Sequence, residues 1–176
     1  MKTKLIIITA LFIGATVLRA DTPIQLSLTP EIALYPKDTM VKGFALNIWG
    51  QNPQLSLNIG FVNGSTGDSG GLSWGLVNYA ESYRGVQWGW VNVSTGDFVG
   101  WQDGYVNLSQ GTFKGLQSGL INISQDTTGL QLGVVNYANN LNGIQIGLVN
   151  VAMNNPFFTE LPDKFATGFP IFNWSF

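Results

Sequence analysis

Gly67-Asp68-Ser69-Gly70-Gly71 is the stretch whose residue types most suggest covalent catalysis: a serine set among glycines beside a carboxylate. A serine hydroxyl becomes a useful nucleophile at neutral pH only when a neighbouring base takes its proton, most often a histidine. The chain contains no histidine. Its carboxylates are scattered, with Asp97 and Asp126 in turn-like stretches and Glu81 just after an apolar run. None recurs at a spacing suited to acid–base work, and without His or Cys a transition-metal site lacks its usual ligands. No EF-hand or nonapeptide calcium pattern is present either. The expectation is a protein without catalytic, cofactor-binding or metal-binding residues.

What surrounds Ser69 is a tandem repeat. The units are GLSWGLVNYA (71–80), GVQWGWVNVS (85–94), GWQDGYVNLS (100–109), GLQSGLINIS (115–124), GLQLGVVNYA (129–138) and GIQIGLVNVA (143–152), with starts 14 or 15 residues apart. LNIGFVNGS (57–65) fits the same frame, and GFALNIWG (43–50) fits it more loosely. Val, Ile, Tyr and Trp dominate and turn-like clusters separate the units, which is the chemistry of strands. "STGD" recurs between units at 65–68 and 94–97, so Ser69 reads as turn material and Gly71 as the start of the next unit.

Alternation along a strand sorts each unit into two faces. In the unit from Gly129, Leu130, Leu132, Val134, Asn136 and Ala138 share one face, while Gln131, Gly133, Val135 and Tyr137 share the other. Both are substantially apolar. Asn63, Asn78, Asn92, Asn107, Asn122, Asn136 and Asn150 occupy one repeat position and read as structural asparagines. The sequons at Asn63, Asn92, Asn107, Asn122 and Asn173 follow from the repeat, since Asn78, Asn136 and Asn150 carry Ala where a sequon needs Ser. Trp74, Trp88, Trp90, Trp101 and Tyr105 form a candidate aromatic binding face.

Residues 1–20 read as a secretory signal peptide: Lys2 and Lys4, then an apolar run from Leu5 to Ile13, then a cut expected after Ala20. Its removal leaves five basic against ten acidic residues, a net charge of about −5, which disfavours nucleic acid as a partner. Charged residues are only 10% of the chain against roughly 25% in typical soluble domains, and an exported fold without cysteine must rest on backbone pairing and burial. Residues 21–176 are expected to form one all-β domain, with core repeats over 56–156 and a C-terminal strand over 168–176.

Two architectures bury both faces of such a repeat. The favoured expectation is a closed antiparallel β-barrel of outer-membrane type, one strand of nine or ten residues per unit and ten candidate strands in all. The end of the chain supports it, because Phe172, Trp174 and Phe176 alternate along a strand and resemble a C-terminal assembly signal. The alternative is a β-solenoid. Parallel coils align the asparagines into a ladder, and Tyr83, Phe98, Phe113 and Leu141, each two residues before a unit-starting glycine, then point inward from a third side. Asp103 speaks for the solenoid too, since it shares a face with Trp101 and Tyr105 where lipid would penalise it.

The units "GLQLGVVNYANNLNGIQIGLVNVA" together with "FPIFNWSF" resemble a family of bacterial surface-repeat proteins, over roughly residues 43–176. The resemblance implies export and placement at the outer membrane or cell surface of a diderm bacterium, and brings no catalytic residue. The expected function is a non-enzymatic envelope protein. As a barrel it would be an integral structural element or narrow passage whose partners are the outer membrane and its barrel-assembly machinery. As a solenoid it would be soluble or surface-attached and bind carbohydrate or protein through its aromatic face.

Overall fold

The computed structural model describes residues 21–176, and the expected signal peptide lies outside them. Extended backbone fills nearly all of this span and forms one sheet: β1 (Thr22–Ser27), β2 (Val41–Asn52), β3 (Gln54–Trp88), β4 (Val91–Ser94), β5 (Phe98–Ala152) and β6 (Gly168–Ser175). β3 and β5 are far longer than a straight strand because the extended chain continues around corners. From β1 to β5 every pairing between these strands is parallel. Asn78 lies beside Asn92 and Asn92 beside Asn107, while Gly85 pairs with Gly100 and Gln87 with Gln102. The fold is a β-solenoid in which about five turns carry the chain from Gly71 to Gly143.

The barrel expectation is thereby corrected. In an antiparallel meander successive units run in opposite directions and present their asparagines at opposite rims. Here each unit runs the same way and lies one rung above the last. The interior is filled by side chains of negligible exposure, so the narrow passage falls with the barrel.

Glycine makes so tight a coil closable. Gly85, Gly100, Gly115, Gly129 and Gly143 turn the corner with φ between +135° and +150°, a region that side chains with a Cβ rarely enter. At each of them a Cβ would run into the carbonyl oxygen of the corresponding glycine one turn earlier. The two 15-residue turns, from Gly85 and from Gly100, take their extra residue between the small tenth residue and the inward aromatic, where Gly96 and Gly111 sit. Those widened corners admit Phe98 and Phe113, which are wholly buried and stacked 5.4 Å apart at 9°. Tyr83 continues the stack 5.8 Å from Phe98. Burial pushes its phenol up to about 12, although a hydrogen bond with Ser73 acts in the opposite direction.

Apart from Ala80, Ala138, Leu141 and Ala152, the interior of these coils is largely polar, which inverts the usual core. Gln87, Gln102, Gln117, Gln131 and Gln145 form one ladder, each later amide donating to the Oε1 of the glutamine before it at 2.7–3.0 Å. From Asn63 to Asn150 a second ladder runs the other way, each amide donating to the asparagine after it at 2.8–3.0 Å. Buried amides must be hydrogen-bonded to be tolerated, and a one-residue shift of register would break both ladders. The broken ends are visible: Asn47 Oδ1, Gln87 Nε2 and Gln145 Oε1 are buried without a partner. All five sequon asparagines are fully buried, in keeping with their structural reading.

Both ends of the stack are covered. At the first rung Gln25 grips the backbone of Tyr35, donating to its carbonyl at 2.8 Å and accepting from its N–H at 3.0 Å. At the last, β6 runs antiparallel along Gly143–Val151 and occupies an edge that would otherwise template further pairing. Phe172 lies opposite Ile146 and Trp174 opposite Ile144. Trp174 stacks on Phe165 at 4.3 Å and donates to the Pro162 carbonyl at 2.8 Å, while Phe176 stays exposed.

Candidate ligand groove

Ser69 is buried, and it lies in the extended backbone of β3 just before the corner at Gly71, not in a turn outside the strands. Its hydroxyl donates to the Thr66 carbonyl at 2.7 Å, a local bond, and accepts from the Gln54 N–H at 3.0 Å, which ties it to the coil before. The chemistry of the molecule is to be sought on its outer surface.

There the fifth residue of each unit is a second glycine, and the chain bends at it. Asparagine sets this bend from inside. Asn78 Nδ2 donates to the Trp88 carbonyl at 3.1 Å, Asn92 to Asp103 at 2.9 Å and Asn107 to Ser118 at 2.9 Å, each reaching the residue just before the glycine in the following turn. A Cβ at Gly75, Gly89, Gly104 or Gly119 would collide with the carbonyl of the glycine one turn back and with the supporting asparagine amide. Stacked bends therefore leave a furrow along the solenoid, floored by Gly60, Gly75, Gly89, Gly104 and Gly119. Four rung spacings of ~4.8 Å make that floor about 19 Å long.

Large side chains build its walls. Trp74 and Trp88 rise on one side, followed by Asp103, and Phe61, Leu76, Trp90, Tyr105 and Leu120 rise on the other. The groove encloses about 1260 Å³. At its N-terminal end it is bordered by Leu26, Leu28, Ile32 and Leu34, held by a turn in which Leu28 donates to the Ile32 carbonyl and Leu34 to the Leu26 carbonyl. Trp74 stacks on Trp88 at 6.2 Å and Trp88 on Trp101 at the same distance, so Trp88 is flanked by an indole on either side. Across the furrow Trp90 and Tyr105 lie 6.0 Å apart.

The structure thus brings the five expected aromatics together, with a difference of geometry. Trp74 and Trp88 stand on one wall, Trp90 and Tyr105 on the other, and Trp101 flanks the first wall behind Trp88; they do not form one flat face. Alternation along an unbroken strand misses the bend at the intervening glycine. Sequence reasoning also missed the floor and the N-terminal border, whose signals were the second glycine of each unit and the leucines of β1 and the following turn.

Asp103 is the charged residue of the groove lining. Ser118 Oγ donates to one oxygen of its carboxylate and accepts from Trp101 Nε1 at 2.8 Å. Among the described residues no group holds the other oxygen. Elsewhere along the coils charge falls between the repeat units, at Lys42, Asp68, Glu81, Arg84, Asp97, Lys114 and Asp126. No protein-family model matches the chain, and no curated protein or solved structure matches it either.

Proposed function

We propose that the protein is a non-enzymatic, exported and surface-attached β-solenoid that binds an elongated apolar ligand along its aromatic groove. The observation that carries this reading is the groove itself: a continuous furrow with a glycine floor, indole and leucine walls and an apolar N-terminal end. Pockets of this volume and composition are the usual seat of small or chain-like ligands. Stacking of the indoles favours an apolar chain over a sugar, because a sugar needs an open ring face and Trp88 has neighbours over both of its faces. Placement at the cell surface is supported by the sequence of residues 1–20, and by an outer surface on which exposed Leu, Ile, Trp and Phe far outnumber the buried apolar side chains.

N-phenylnaphthylamine, a neutral apolar dye that brightens in dry surroundings, tests the groove. Saturable binding of about one dye per chain is expected, lost when Trp88 and Trp90 are both replaced by alanine. Uptake that never saturates, or that the double variant retains in full, would defeat the reading. Labelling of intact expressing cells checks the placement.

A further inference from the structure

The groove changes character along its length in a way that specifies its ligand. Its N-terminal end is hydrocarbon-like, lined by Leu26, Leu28, Ile32, Leu34 and Phe61. About three rungs away, the wall that begins with Trp74 and Trp88 changes abruptly to Asp103, a half-buried carboxylate. No described basic side chain pairs with it, since the ion pairs of the described residues are made by Lys37, Lys42 and Lys164 with other acids. Ser118 satisfies one of its oxygens, and the Trp101 indole holds that serine in place. The carboxylate is thus positioned by its neighbours but not neutralised by them, on the wall of an apolar slot.

Resting on the groove reading, we propose that the ligand is a single-chain amphiphile whose headgroup carries a protonated amine. Its hydrocarbon tail lies over the floor from Gly60 to Gly89 with its tip against the N-terminal leucines, and its ammonium meets Asp103. Three features fit this occupant together. From Gly60 to Gly104, beside Asp103, three rung spacings of ~4.8 Å make the floor about 14 Å long, against roughly 15 Å of hydrocarbon depth for one leaflet of a bilayer. A fatty acid or an anionic headgroup would bring its charge against Asp103, which like-charge repulsion opposes. A chain lacking a charge would leave the half-desolvated carboxylate without a counter-ion, whereas an ammonium supplies both a charge and up to three donors.

The probes are dodecylammonium, dodecanol and laurate, each used below its micelle concentration and read by displacement of bound N-phenylnaphthylamine. Dodecylammonium is expected to bind about tenfold more tightly than dodecanol, with laurate the weakest. In Asp103→Asn the ammonium should fall to the affinity of dodecanol while dodecanol itself is unchanged; Ser118→Ala should show a smaller loss. Equal affinity for ammonium and alcohol in the unaltered protein, or a preference that survives Asp103→Asn, would overturn the proposal. So would dye that binds saturably yet is displaced by none of the three chains, an outcome that leaves the groove reading standing. Failure of the dye to bind at all would instead remove the groove reading on which the proposal rests.

Discussion

The inward and outward columns of this solenoid are built from the same turns and obey opposite rules. Inward, the third residue of the last five units is always Gln and the eighth of all six is Asn, because each side chain must meet a copy of itself one rung away. Outward, the fourth residue runs Trp74, Trp88, Asp103, Ser118, Leu132 and Ile146, with no such constraint. Amide ladders demand identity along the stack, whereas the outer surface tolerates any side chain that an extended backbone can carry. Uniform columns therefore mark what holds the fold. The column that changes, from Trp through Asp to Leu, marks where a specific site lies.

That contrast is broken most severely at a corner. Gly100→Ala places a methyl group against the Gly85 carbonyl at a φ of +139°, and is expected to cost on the order of 3–5 kcal/mol. Gly67→Ala, at a turn with φ +58° and open space around it, should cost only about 1 kcal/mol. Urea unfolding followed by circular dichroism compares the two; similar losses would mean that the corner is not what closes the coil.

Alkaline pH tests the aromatic stack next. The folded pKa of Tyr83 is raised to about 12 from an ordinary 10, so the folded state keeps its proton where the unfolded chain loses it. Its contribution is intact below pH 10 and is lost as pH climbs from 10 towards 12, a loss of roughly 2–3 kcal/mol. Tyr83→Phe should remove that part of the alkaline destabilisation. Unfolding curves at pH 9 and pH 11 for both proteins make the comparison, and identical pH dependence would contradict the burial of Tyr83.

The smallest effect sharpens the inside rule. Gln117→Leu interrupts its ladder in the middle, taking the acceptor from Gln131 and a donor from Gln102, and should cost about 1–3 kcal/mol. Gln87→Leu moves the end of the ladder one rung along, exchanging one unpartnered amide for another, and should cost less than about 1 kcal/mol. Equal costs would show that the glutamines matter by volume and not by pairing.

Much of this was legible in the residues. Repeat length, strand character, the shared role of the seven asparagines and the inward third side of Tyr83, Phe98, Phe113 and Leu141 all follow from type and spacing. The turn expected at Ser69 is instead part of the extended β3, where its hydroxyl is held between the Thr66 carbonyl and the Gln54 N–H. Direction of the chain was not legible in the same way. Parallel and antiparallel strands share one alternation of faces, and only pairing of Asn92 with Asn78 and Asn107 on its two sides decides that the units stack as coils. The terminal Phe172, Trp174 and Phe176 carry the alternation of any exposed strand; where they lie depends on an unoccupied rung elsewhere in the chain. The groove is likewise a product of tertiary structure. Alternation puts Trp88 and Trp90 on one side of a strand, and the bend at Gly89, fixed by an amide from another turn, is what separates them into two walls with Asp103 next after Trp88 along the first. Local periodicity therefore determined the elements and the interior, while contacts 14 or 15 residues apart decided the architecture and the site.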